Sequence, residues 1–248
     1  MATPPLGAAA DQSYAVSGSD TFAVGNGDVR SEISYRGNET LHTERHGNTV
    51  RYVARARYTR VDQGARSEAT GYFSAELTAD GEQRDLRDRD PDYLTVLNQP
   101  FAVQLDAPTL RDLAHLRSDV PFEFPSPITG SPLHGHLRRI AEGMVGGERA
   151  LGVAFDAGGP MRGPLPDRPR LQLAGKIRMH GSAYYRAEDA LLLSLDATLT
   201  ISGNLANPEQ SDAVQIVYRR HIRAVGAKDT RRPVGAPAKP TPTAAKRS

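Results

Sequence analysis

Residues 191–202 read LLLSLDATLTIS and alternate between apolar and polar side chains. Leu193, Leu195 and Leu199 fall on one side of an extended chain, and Thr198 and Thr200 fall on the other. Successive side chains of a strand point to opposite faces of its sheet. The period of two therefore predicts a strand with one buried face and one solvated face.

The same alternation recurs in three other long segments, residues 48–60, 170–180 and 214–222. Shorter strands are predicted at residues 71–77, 101–105, 135–140 and 151–155. Clean alternation is typical of antiparallel sheets that have one solvated face. We therefore predict a mainly β fold. It is an antiparallel curved sheet, arranged as a half-barrel or as a barrel or sandwich, with one or two short helices.

Turn residues and one helix signal complete the predicted elements. Turns are expected at Gly146-Gly147, Gly158-Gly159-Pro160 and Ser202-Gly203-Asn204, and residues 187–189 join two long strands as a hairpin. Residues 109–116 predict a helix, because Thr109 and Asp112 have capping-box spacing before a stripe of leucines.

Composition divides the chain into three parts. Residues 1–20 are rich in Ala, Pro, Gly and Ser and predict a flexible leader. Residues 21–227 form the predicted single β-rich domain. Residues 228–248 alternate proline with small and basic residues, and such a segment cannot bury enough apolar surface to fold, so it predicts a disordered tail.

Overall composition excludes several classes of function. The 248 residues include no cysteine, which excludes disulfides, zinc thiolate sites and cysteine nucleophiles. The net charge of +2 gives no overall field for nucleic-acid binding. The chain has no apolar stretch near the roughly 20 residues that span a bilayer, so no transmembrane segment is predicted. The start Ala8-Ala9-Ala10-Asp11-Gln12 favours a periplasmic or secreted protein, with a cytoplasmic location left open.

Two histidines are the best candidates for site chemistry. His134 and His136 flank Gly135 in a predicted strand and point to the same face, a spacing that metal sites on β structures use. A third ligand is not evident, so no metal site and no cofactor are predicted. The chain also has neither a Gly-x-Ser-x-Gly elbow nor a phosphate loop. If the protein were an enzyme, these histidines and the loop from Asp88 to Asp92 would be its best candidate residues.

The region from Phe101 to Leu199 contains a succession of short predicted strands, then residues 171–179, then Gly181-Ser182-Ala183-Tyr184-Tyr185, then residues 190–195. This succession resembles bacterial envelope half-barrel proteins. That broad group includes the LolA- and LppX-like lipoprotein carriers and uncharacterised periplasmic families. The resemblance implies a curved antiparallel sheet whose apolar concave face shelters acyl chains or another hydrophobic ligand.

These observations lead to an expected function with two alternatives. We expect a non-enzymatic envelope protein that binds a hydrophobic small molecule, a lipid or another envelope component. The expected ligand-binding residues are Leu173, Ile177, Leu193, Leu195 and Leu199, although the same residues would also suit a plain core. The first alternative is a structural or assembly subunit that pairs with protein partners through its sheet edges. The second alternative is an enzyme with a loop-borne site around His134 and His136.

Overall fold

Strands account for nearly all of the chain that the computed structural model describes, and the described residues contain no helix. The described residues are 10–25, 29–46, 49–77, 83–89, 92, 119–125, 132–140, 142–165, 168–188, 191–207 and 209–225. The twelve strands in chain order are β1 Ala10–Val24, β2 Val29–His46, β3 Thr49–Asp62, β4 Ala65–Leu77, β5 Gln83–Asp88, β6 Val120–Pro125, β7 Pro132–Arg139, β8 Gly143–Val145, β9 Glu148–Leu165, β10 Arg168–Arg186, β11 Leu192–Ala206 and β12 Ser211–Ala224.

All twelve strands belong to one antiparallel sheet that is not closed. Its strand order is β5-β4-β3-β2-β1-β12-β11-β10-β9-β7-β6, and β8 pairs with β9. The sheet therefore consists of two meanders, β1–β5 and β6–β12, joined where the first strand pairs with the last. This arrangement confirms the predicted antiparallel β fold.

The sheet curves around a single apolar core. We call the face that carries this core the buried face, and the opposite face the polar face. Buried residues from β1–β4 and β7–β12 form one contiguous cluster. Burial raises the pKa of Tyr185 on β10, and Tyr14 on β1 adds to this effect although β11 and β12 lie between their strands. Curvature of the sheet brings such separated strands closer together over the buried face.

Glycines on the buried face let neighbouring strands approach closely. Gly175 and Gly203 face each other across β10 and β11, and a Cβ on Gly203 would lie 2.3 Å from the Ala174 carbonyl oxygen. The turns predicted at 158–160 and 202–204 are therefore wrong, because these residues lie inside β9 and β11. The glycines there accommodate a neighbouring backbone instead of reversing the chain. The Gly146-Gly147 turn is confirmed, with positive φ at both residues.

The predicted leader is wrong from Ala10 onward, since β1 pairs with β2 on one side and β12 on the other. Small side chains suit the solvated row of a strand as well as a linker, so composition alone does not distinguish the two. Ser13, Ser17 and Ser19 lie on the polar face, and Tyr14 and Val16 alternate with them on the buried face. The predicted strand at 101–105, the helix at 109–116 and the tail at 228–248 lie outside the described residues.

Candidate functional site

The five expected ligand-binding residues lie together on the buried face. Leu173 and Ile177 are on β10, and Leu193, Leu195 and Leu199 are on the neighbouring β11. Each of the five is at most 2% exposed. Arg178 and His180 are exposed on the opposite row of β10, whereas the opposite row of β11 is half-buried at Thr198 and Thr200. The sequence pattern therefore placed these side chains on the correct face.

A group of charged and phenolic side chains interrupts the apolar lining of the same face. We call this group the buried ion-pair cluster, and its members are Asp20 of β1, Tyr35 of β2, Tyr58 and Arg60 of β3, Arg220 of β12, and Asp92. Burying charge in an apolar interior is costly unless the charges are paired and hydrogen-bonded. Such a cluster is therefore a candidate functional site.

Arg220 and Asp20 form the centre of the cluster. Both side chains are 2% exposed, and Arg220 Nη1 donates to Asp20 Oδ1 at 2.5 Å. Nη1 also donates to the Arg219 carbonyl oxygen, and Nη2 donates to Asp20 Oδ2 and to the Asp92 carbonyl oxygen. The guanidinium group lies over the rings of Tyr35 and Tyr218, at 5.2 and 5.6 Å from their centroids. Cation–π contacts thus add to the ion pair.

Tyrosine hydroxyls connect the ion pair to Asp92. Tyr35 Oη donates to Asp20 Oδ2 at 2.8 Å, and Tyr58 Oη donates to Asp92 Oδ2 at 2.7 Å. Arg60 Nε lies 3.4 Å from Asp92 Oδ1. Two arginines therefore face two carboxylates, and the phenols link the pairs into one network.

Burial dominates the electrostatics of this network. It raises the pKa of Asp20, against the attraction of Arg220 and the hydrogen bonds from Arg220 and Tyr35. Burial also raises the pKa of Tyr35 far above its ordinary value, and the neighbouring Asp20 carboxylate adds to this effect. Tyr35 is therefore a fixed hydrogen-bond donor in the folded protein.

Arg220 retains one unused donor. Its Nε is the buried side-chain atom that lacks a hydrogen-bond partner within the described part of the chain. The residues beside it are small: Gly18 on β1 and Ala197 on β11 are its register partners. A Cβ on Gly18 would lie 3.1 Å from both Cδ and Nη1 of Arg220, so glycine leaves space for the guanidinium group. On the other side, Ala197 lies between Arg220 and the apolar surface that β10 and β11 form.

Asp20 and Arg220 are not among the site residues predicted from the sequence, although the alternating rows of β1 and β12 contain a signal for them. The buried-face row of β12 runs Val214, Ile216, Tyr218, Arg220, Ile222, and the row of β1 runs Tyr14, Val16, Gly18, Asp20, Phe22. Each row contains one charge of opposite sign among apolar residues. A charged residue that falls within a buried row predicts a buried partner of opposite charge, because burying an isolated charge costs too much free energy. The partner's identity required the β1–β12 pairing.

The two candidate histidines lie on the polar face of β7, away from the cluster. His134 and His136 are both exposed, and His134 Nδ1 lies 3.0 Å from Glu123. The loop residues proposed to accompany them are elsewhere: Asp88 ends β5, and Asp92 contacts groups of the buried face. The structure therefore separates the two parts of the candidate enzyme site. No three His, Asp or Glu side chains among the described residues are arranged to hold a metal ion.

His136 instead belongs to an open groove on the polar face, which we call the polar groove. It has a volume of about 1060 Å³ and crosses from β7 to β12. Its ionic contacts include Arg178 Nη2 with Asp156 at 2.8 Å and His221 Nδ1 with Asp196 at 2.5 Å. Ser182, Asp196 and His221 lie on consecutive strands, with the carboxylate in the middle. A serine nucleophile needs the imidazole in that central position, so this row does not form a catalytic triad.

Comparison with known proteins gives no family for this chain. No family model matches it, and a search of curated proteins finds no match. Within the described residues, no helix has the length and apolar character needed to cross a membrane.

Proposed function

We propose that this protein is a non-enzymatic envelope protein that binds an amphipathic ligand inside the curved sheet. The acyl or other apolar part of the ligand lies against Leu173, Ile177, Leu193, Leu195 and Leu199. Its polar end carries a hydrogen-bond acceptor that lies against Arg220. The observation that carries the proposal is a buried guanidinium group with an unused Nε donor beside an apolar surface.

Register supports the placement of the two parts of the ligand. One cross-strand row of the buried face runs through Phe155, Gly181, Ala197, Arg220 and Gly18. It begins among apolar residues and ends at the buried ion-pair cluster. The small residues Gly181 and Ala197 separate Phe155 from Arg220. A ligand that lies along this row therefore has apolar contacts at one end and a hydrogen-bond donor at the other.

The chemistry of Arg220 restricts the polar end. A guanidinium group has five N–H donors and no acceptor, so the free Nε requires an acceptor oxygen on the ligand. A carboxylate or an ester carbonyl satisfies this requirement, whereas an alkane does not. Entry of such a ligand also requires the interior to open, because the five lining residues are at most 2% exposed.

The edges of the sheet give less support to the alternative of assembly through edge pairing. The end strands β5 and β6 are six residues each. β6 contains Pro121 and Pro125, which lack the backbone N–H that a paired strand needs. β5 is irregular, with a register shift against β4 and a positive φ at Asp85. Such features disfavour pairing with another strand.

The proposal is tested by ligand identification and by defined titrations. Native mass spectrometry of protein purified from its source organism should show a bound amphiphile. The delipidated protein should bind oleate and a monoacylglycerol but not hexadecane, measured by displacement of a fluorescent fatty acid. Arg220→Lys keeps a positive charge opposite Asp20 but lacks Nε, and it should weaken oleate binding about tenfold.

Arg178→Lys is the matched control, because Arg178 lies on the polar face and is exposed. It should leave oleate affinity unchanged. Absence of a bound amphiphile together with absence of oleate binding would overturn the proposal. Equal affinity for oleate in wild type and Arg220→Lys would overturn the assigned role of Arg220.

A further inference from the structure

We infer that the polar groove is a second binding site, whose ligand is an acidic polysaccharide, a linear glycan that carries sulfate, phosphate or carboxylate groups. This site lies on the face of the sheet opposite the proposed interior ligand, and the argument for it is independent of that proposal.

The groove places hydroxyl groups between cations on two flanking strands. Thr198, Thr200 and Ser202 of β11 line it. Lys176 and Arg178 on β10 are the register partners of Ser202 and Thr200, and Arg219 on β12 is the partner of Thr198. Adjacent strands are roughly 5 Å apart, so β10 and β12 are roughly 10 Å apart.

Two of these cations are available to a ligand. Lys176 and Arg219 are exposed and have no acidic partner among the described residues. Arg178, by contrast, donates to Asp156. Cations beside hydroxyl donors form charge-assisted hydrogen bonds with oxyanions. The centre of the groove therefore suits sulfate, phosphate or carboxylate groups.

The same groove contains carboxylates that suit sugar hydroxyls. Asp156 and Asp196 both line it, and Asp156 receives the hydrogen bonds of Arg178 at Oδ2, so its Oδ1 can accept from a sugar hydroxyl. A ligand that carries both anions and hydroxyl donors satisfies both kinds of group. Single-stranded DNA fits less well, because its sugars carry no free hydroxyl groups along the chain for these carboxylates. Phe155, the aromatic residue that lines the polar groove, is 4% exposed and gives a base little surface on which to stack.

The size of the groove favours an extended ligand. Its volume of about 1060 Å³ is larger than one oxyanion requires. A second recess of about 510 Å³, lined by Glu123 and His134 among others, shares His136 and Asp156 with it. Continuous lining from β6 to β12 gives a site in which several sugar residues can lie in sequence.

The test uses isothermal titration of the full chain with three defined acidic glycans: a heparin octasaccharide, chondroitin sulfate and polygalacturonate. At least one should bind at low salt, and neutral dextran should not bind. The double variant Lys176→Gln/Arg219→Gln should weaken that binding about tenfold and reduce its salt dependence by about two ion contacts. The control Arg51→Gln/Arg57→Gln removes two exposed arginines from the polar face of β3 and should bind as wild type does.

Three outcomes would overturn the inference. The first is failure of all three glycans to bind. The second is equal loss of affinity in the groove variant and the β3 control, which would indicate attraction by general charge. The third is tighter binding of single-stranded DNA or inorganic polyphosphate than of any glycan, since neither supplies the sugar hydroxyl pattern that the carboxylates require. Unchanged melting temperatures of both variants ensure that the comparison reports binding.

Discussion

The two parts of the buried face are packed with different kinds of side chain. Strands β9–β11 contribute Leu, Ile, Met and Phe side chains, all nearly inaccessible to solvent. Strands β1–β3 and β12 bury Asp20 and Arg220 at 2% exposure. The first region gains stability from burial of apolar area alone. The second region depends on complete pairing, because an unpaired buried charge is destabilising.

This difference shows which part of the buried face determines most strictly how the strands pair. An apolar interior accepts exchanges of similar volume, whereas an ion pair requires one partner in one position. Asp20 and Arg220 are 200 residues apart in the chain, and they meet because the first and last strands pair. The cluster therefore links the pairing of the two meanders to correct charge pairing.

The largest expected effect comes from removing one partner of the Asp20–Arg220 ion pair. Asp20→Ala should cost about 3–5 kcal/mol of unfolding free energy, because Arg220 would remain buried without its carboxylate. Urea denaturation measures the loss. Thr21→Ala, the next residue of β1, should cost far less because Thr21 belongs to the opposite row. Asp20→Leu/Arg220→Met should recover most of the loss, since it removes both charges. A double variant as unstable as Asp20→Ala would contradict this account.

Truncation in the apolar region should have a comparable or smaller effect. Leu195→Ala should cost about 2–5 kcal/mol, as truncations in packed cores do, and Thr198→Ala on the polar face should cost much less. Denaturant melts with and without oleate measure both. A large loss in both conditions would indicate that Leu195 is plain core. A small loss without oleate, together with weaker stabilisation by oleate, would indicate that it lines a ligand cavity.

A single hydroxyl in the cluster should have an intermediate effect. Tyr58→Phe removes the donor that lies 2.7 Å from Asp92 Oδ2. The unfolding free energy should fall by about 1–3 kcal/mol, because a charged acceptor loses one of its hydrogen-bond partners. Tyr184→Phe on β10, where the half-buried side chain lies on the row opposite Tyr185, is the comparison and should be nearly neutral. Equal losses in the two variants would show that the hydroxyl–carboxylate contact carries no special stability.

The smallest expected effect concerns an exposed ionic contact. Hydrogen bonds with Glu44 and then Asp11 raise the pKa of His42 above the histidine reference value. A raised folded-state pKa stabilises the protein below the unfolded-state pKa, and this contribution is lost as pH rises through the folded-state pKa. Glu44→Gln should lower the pKa of His42, followed by NMR titration of its ring protons. Glu68→Gln on β4 should leave it unchanged, and an equal shift in both variants would refute the assignment.

Sequence pattern was most informative where the strand was long and its two rows differed clearly. Residues 191–202 placed Leu195 and Thr198 on opposite faces because side-chain direction in a strand is local geometry. The pattern was ambiguous at β1, where Ser13, Ser17 and Ser19 form a row of small residues that resembles a linker. It was also ambiguous at Gly203, because a close approach between strands and a turn both favour glycine.

The sequence by itself determined the β class, the faces of the long strands and the exclusion of cysteine chemistry, since these depend on composition and on a period of two. The tertiary structure alone decided which strands are neighbours. Pairing of β1 with β12 brought Asp20 to Arg220, and the separation of β7 from β1–β3 placed His136 away from Asp92. Strand order depends on contacts between residues far apart in the chain, and neither local periodicity nor composition contains that information.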